Sequence, residues 1–122
     1  MAEKLIRDRI PEIALLKGDV LSVRVADLGE MLPLLLRKLA EETAEFAKDP
    51  SYAELVDIFE VVYGLAGYLA VRDRGIEGVL TTEDYVEEMI SGRTKLHDMR
   101  HMKAQKSGGF HKRLVLTGIS DD

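Results

Sequence analysis

A chain of 122 residues with 46% apolar and 32% charged side chains has room for one hydrophobic core and a single domain, 1–122, of an ordinary soluble helical kind. Its net charge of −5 argues against a general nucleic-acid binder, although seventeen Lys and Arg remain to meet phosphates locally. The absence of cysteine excludes disulfides, thiolate nucleophiles and cysteine-based zinc sites; with no apolar run near ~20 residues and no signal-peptide pattern, no membrane partner and a cytoplasmic location are expected.

The first residues, Glu3-Lys4-Leu5-Ile6-Arg7-Asp8-Arg9-Ile10-Pro11, set three cations beside apolar Leu5, Ile6 and Ile10. That composition suits an anchored segment that presents charge, and equally a solvated arm. Pro11 fits the first turn of a short helix reaching about Lys17, which Gly18 ends. Residues 20–26 alternate weakly around Val23 and Val25 and read as a short strand. Asp27-Leu28-Gly29-Glu30 has capping-box spacing, but Pro33 follows too soon for a clean start, so an irregular or kinked beginning to the next helix is expected. That helix carries Leu32, Leu35, Leu36, Leu39 and Phe46 at spacings of three, four and seven.

At the turn Asp49-Pro50-Ser51, either Asp49 or Ser51 can cap a second long helix that runs to about Arg74 and stops at Gly75. Leu55, Ile58, Phe59, Val62, Leu65 and Leu69 make its matching stripe. Gly64 and Gly67 lower its intrinsic helicity by roughly 1 kcal/mol each relative to alanine, a cost that close approach of a neighbouring helix would offset. Thr81 or Thr82 opens a third long helix, interrupted by Gly92, that reaches about Gln105 and ends at Gly108-Gly109. Leu-Val-Leu at 114–116 reads as a second strand able to pair with the first. The expected fold is therefore mainly all-α, an antiparallel helix hairpin and bundle with a minor two-stranded β element.

Two acidic signatures face each other across the hairpin turn. Glu42 and Glu45 are three residues apart on the first helix, and Glu54 and Asp57 three apart on the second, so each pair shares one side of its helix. Glu42 falls on the apolar stripe between Leu39 and Phe46, and Asp57 lies inside the run Leu55-Val56-Asp57-Ile58-Phe59. Acids set in a core stripe are rarely left without a partner, whereas Glu41 fits an ordinary solvated face. Folded back on each other, the two helices bring four carboxylates to one spot, where their mutual repulsion calls for a hard divalent cation.

A second metal pattern competes with this one. His97-Asp98-Met99-Arg100-His101 has the spacing of a helical two-histidine zinc site, with Asp98 where zinc proteases carry glutamate. No third ligand stands nearby and Arg100 adds repulsive charge, so solvated histidines are the expected reading. Lys106-Ser107-Gly108-Gly109-Phe110 lacks the Gly-Lys-Ser/Thr ending of a phosphate loop, and helix termination is its simplest role.

In these features the chain resembles the MazG-like all-α nucleoside triphosphate pyrophosphatase superfamily, whose signature is EExxE followed by ExxD on consecutive helices. It looks closer still to a small phosphoribosyl-ATP pyrophosphohydrolase-like branch, through the opening segment Lys4 to Pro11, the run Lys38 to Glu42, and the stretch Gly108 to Arg113. The resemblance implies that Glu42, Glu45, Glu54 and Asp57 hold magnesium, or manganese in its place. It makes Lys4, Arg7, Arg9, Lys38 and Arg113 candidates for phosphate or structural contacts. Only eight residues separate Glu45 from Glu54, shorter than in longer MazG proteins, and Ser107 stands where the branch carries arginine before Gly-Gly-Phe.

The implied reaction is magnesium-dependent hydrolysis of a nucleoside triphosphate, in a house-cleaning role if the nucleotide is non-standard, to a monophosphate and pyrophosphate. Glu41, or one of the four ligands through a water, is the candidate general base. Phosphoribosyl-ATP hydrolysis in histidine synthesis, a nucleotide sensor and a silent helical interaction module are the alternatives. A two-helix hairpin with one short extra helix buries poorly alone, so a homodimer or higher homo-oligomer is expected.

Overall fold

The computed structural model describes residues 3–76 and 80–120. An extended opening segment leads into α1 (Ile10–Leu16), whose Pro11 sits in the first turn and which Gly18 ends in the left-handed region at φ 91°. A second extended stretch reaches a 3-10 turn (Leu28–Glu30) that runs directly into α2 (Met31–Lys48). The capping box is formed: Asp27 accepts from the Glu30 backbone, and Glu30 accepts from the Asp27 backbone N–H at 2.8 Å. The 3-10 turn is the irregular beginning that Pro33 foretells.

α3 (Tyr52–Asp73) follows after a three-residue turn, and the Ser51 hydroxyl, not Asp49, caps it by accepting from the Glu54 N–H at 3.3 Å. α4 (Thr82–Ser107) is capped in the same way by Thr81, which accepts from the Asp84 N–H at 3.1 Å. The fold is all-α, and α3 is its middle element, packed on one flank by α2 and on another by α4. Among the described residues the buried apolar ones are Leu34 and Leu35 from α2 with Val61, Ala66 and Val71 from α3. The expected α3 stripe is only half right. Leu55, Phe59 and Leu69 lie exposed, because the helix turns its small residues, not its large ones, toward both neighbours.

Glycines set those two approaches. A Cβ at Gly64 would stand 2.9 Å from the Leu35 side chain of α2, and one at Gly67 would stand 2.6 Å from Met89 of α4. Gly92 is no mere interruption of α4, since a Cβ there would meet the Ala66 carbonyl oxygen of α3 at 2.1 Å. Beside this contact Glu88 is buried and takes one partner, the Arg74 guanidinium just past the end of α3.

No strand forms among the described residues. The strands expected at 20–26 and 114–116 are extended but unpaired, with Val20, Val25, Leu114 and Leu116 at least four-fifths exposed. A two-stranded ribbon needs a packed face to persist, and neither segment lies against one. The first stretch is tied instead by Arg24, which bridges Glu3 at 3.0 Å and Glu30 at 2.7 Å. The Arg24 guanidinium, helped by the Asp27 backbone N–H, holds the Glu30 carboxyl down to about 2.

Candidate metal centre

Three of the four expected ligands converge. One carboxylate oxygen each from Glu42 on α2 and from Glu54 and Asp57 on α3 lie within 4.8 Å of one another. The hairpin produces this arrangement: Glu42 stands on the inward side of α2, two turns before the chain reverses. Glu54 and Asp57 stand on the first two turns of α3, directly after it. Glu42 is buried, and among the described residues the cation paired with its carboxylate is the Lys38 ammonium, 3.5 Å away. Glu45 is exposed and lies outside the group of three, though near enough that its charge acts on Glu54.

The electrostatics carry the mark of crowding. Loss of solvent, then the charges of Asp57, Glu45, Asp49 and Glu42, push the Glu54 carboxyl above its ordinary value. A raised carboxyl is a destabilising one when ionised. Its cost to the folded state is complete above the raised value and is relieved as pH falls through it toward the usual 4.5.

Cations close the site from the N-terminal side. The Arg7 guanidinium donates to Asp57 Oδ1 at 2.8 Å, across 50 residues of sequence. Glu41 is held by two ammonium groups, Lys38 at 3.4 Å and Lys4 at 3.6 Å. Lys4, Leu5, Arg37, Lys38 and the acids Glu3 and Glu41 line a shallow cavity of about 210 Å³, to which none of the three convergent carboxylates contributes. Arg9 turns away to pair with Glu12, and Arg113 lies in the exposed C-terminal segment, without an ion pair to these acids among the described residues.

The donor set is all oxygen, with no nitrogen or sulfur, the kind of set that hard divalent cations take. The histidine pattern on α4 builds no rival site among the described residues. His97 Nε2 is taken by the Tyr63 hydroxyl at 2.9 Å, with Arg93 stacked over the Tyr63 ring, and His101 is exposed. His97→Ala with His101→Ala is expected to leave metal dependence and turnover unchanged, read by metal titration of the purified double variant. Activity lost and then restored by zinc but not magnesium would reverse that assignment.

No helix among the described residues is long and apolar enough to cross a membrane. Comparison of the chain with protein-family models, curated proteins and solved structures finds no match.

Proposed function

We propose that this chain is a magnesium-dependent hydrolase that cleaves a nucleoside triphosphate to the monophosphate and pyrophosphate. The observation that carries the reading is the convergence of Glu42, Glu54 and Asp57 from two helices onto one spot, with Lys38 against Glu42 and Arg7 against Asp57. Opposite charges in adjoining halves of one site are what a metal–triphosphate complex needs: carboxylates for the cation and ammonium or guanidinium groups for the phosphate oxygens. The resemblance to MazG-like pyrophosphatases points the same way.

Glu42, Glu54 and Asp57 are the residues that would hold the ion, with Glu45 adding negative charge from one turn further along α2. A bound divalent ion supplies charge neutralisation for the leaving pyrophosphate and a more acidic water. Lys38 and Lys4 orient the phosphate chain from the cavity side. Glu41, one residue before Glu42 and free of the group of three, is the carboxylate we assign to accept the proton as water oxygen bonds to the α-phosphorus and pyrophosphate departs. Pyrophosphate release from a panel of standard and damaged triphosphates and phosphoribosyl-ATP, with and without magnesium, tests the reading. Binding without release would support the sensor alternative, and neither would sink both.

We also propose that the active form is a homo-oligomer. The single chain exposes 10457 Å², whereas a compact chain of this length exposes about 6,600 Å². The apolar part of the excess includes Leu55, Val56, Phe59 and Leu69 on α3 and Val86, Ile90, Met99 and Met102 on α4. That is the surface an obligate helical dimer covers, with about 1,000–2,500 Å² lost per protomer.

Metal binding should register as stability. An ion that binds the folded chain at ten times its Kd stabilises by about 1.4 kcal/mol, which is a rise in melting temperature of roughly 4–8 °C for a domain of this size. Magnesium or manganese at millimolar concentration is expected to give this rise in a thermal melt, and sodium chloride of matched ionic strength much less. Glu54→Gln with Asp57→Asn should lose most of the difference. An undiminished shift in that double variant would leave the carboxylates as an ordinary solvated face.

A further inference from the structure

The opening segment is laid across the acids and not beside them. Leu5 and Ile6 are half-buried, Leu5 and Leu34 lining the same cavity, while Lys4 reaches Glu41 and Arg7 reaches Asp57. The Arg7 guanidinium therefore sits on one of the three carboxylates that would hold the cation, and no other cation pairs with Asp57 among the described residues. Its hold is one contact, Nη2 to Oδ1 at 2.8 Å. The Arg7 side chain is half exposed at 49%, so it can leave Asp57 without opening the core.

We propose that Arg7 is an exchangeable counter-ion of this centre: it occupies Asp57 while no divalent ion is bound, yields that carboxylate to the ion, and then turns its guanidinium to the triphosphate. This rests on the metal-centre reading above. A divalent ion that takes an Asp57 oxygen brings two positive charges against a guanidinium at hydrogen-bond distance from the same carboxylate, and the two cations repel. Released, the guanidinium offers a planar fork of donors that matches phosphate oxygens and stays charged at every working pH.

The consequence is a coupling. Metal and Arg7 compete for one carboxylate, so the ion alone binds more weakly than three carboxylates would allow. A nucleotide that engages Arg7 removes the competitor, so it strengthens metal binding, and by linkage the metal strengthens nucleotide binding by the same factor. Arg7 thereby keeps the empty centre electrostatically quiet and makes its loading depend on substrate.

Manganese binding by calorimetry to the full chain tests this, with wild type, Arg7→Gln, and Arg72→Gln as a control that removes equal charge from the far end of α3, where Arg72 pairs with Asp73. Arg7→Gln is expected to bind manganese alone about threefold to fivefold more tightly than wild type, the worth of one partly exposed ion pair. Arg72→Gln should stay within about twofold, as for a distant, screened charge. With a non-hydrolysable α,β-methylene triphosphate present, the order should reverse, Arg7→Gln binding the nucleotide more weakly. In wild type, the Arg7 guanidinium NMR resonance should move on magnesium addition, a readout that survives if the variant folds poorly. Equal or weaker manganese binding by a folded Arg7→Gln, or an unmoved Arg7 resonance at saturating magnesium, overturns the exchange and leaves the metal centre standing. Absence of manganese binding in every protein overturns the centre itself.

Discussion

Gly92→Ala is expected to be the most destabilising alanine substitution at any helical glycine of this chain, costing about 2–3 kcal/mol or more. The added methyl would stand 2.1 Å from the Ala66 carbonyl oxygen, 2.5 Å from its carbon and 3.0 Å from the Gly67 nitrogen. All three are backbone atoms of α3, so nothing flexible can give way, and α3 and α4 must separate along their contact. Alanine's better helix propensity returns only about 1 kcal/mol. Gly64→Ala meets the end of the Leu35 side chain instead, which can change rotamer, and should be near neutral; Gly67→Ala, against Met89, should fall between. Thermal melts of the three variants check the order. A Gly92→Ala protein as stable as wild type would mean that the α3–α4 contact is not as close as described.

That order marks where sequence reading stops. The ends of the elements were legible because they rest on local chemistry: Ser51 and Thr81 cap, while Gly18, Gly75 and Gly108 end their segments with positive φ. Gly64 and Gly67 were legible as sites of close approach, but not which helix approaches each. Gly92 was read as a break because a lone glycine in a helix has the same sequence sign whether it marks weakness or contact. Face assignment in α3 failed for a related reason. A helix with two neighbours has no single apolar stripe, so the large residues that dominate a pattern count were placed inward when several face out.

The candidate site divides along the same line. Glu42, Glu54 and Asp57 were legible because hairpin geometry and three-residue spacing suffice to aim them, with no need for distant packing. Glu45 shares the spacing of Glu42 but stands one turn further out, at the exposed end of α2. Lys4 and Arg7 could be seen as cations in an anchored segment. Their seats on Glu41 and Asp57 depend on how a segment without regular structure crosses the hairpin, and no periodicity reports that. Arg9 and Arg113 had equal standing in the sequence, and their separation from the acids is wholly a matter of tertiary path.

Glu42→Gln and Asp57→Asn should each reduce magnesium-dependent pyrophosphate release at least about a hundredfold, some 2.7 kcal/mol of barrier, while circular dichroism stays helical. Each exchange keeps the shape of the side chain and removes the negative charge that a hard cation requires. Neither residue is needed to fill the core by its charge. Among the described residues the cation paired with Glu42 is Lys38, which retains Glu41, and Arg7 can donate to the amide oxygen of an asparagine at 57. Glu54→Gln should lose activity too, and in the metal-free state it should be the variant that gains stability, because Glu54 is the member whose ionised form loss of solvent and then the neighbouring charges oppose. Glu41→Gln separates roles: a loss in kcat with unchanged magnesium affinity marks the proton acceptor, and full activity returns it to the solvated face. If Glu42→Gln or Asp57→Asn turns over near the wild-type rate in the panel that shows activity, these acids do not hold the metal. The chemistry must then be sought away from the hairpin.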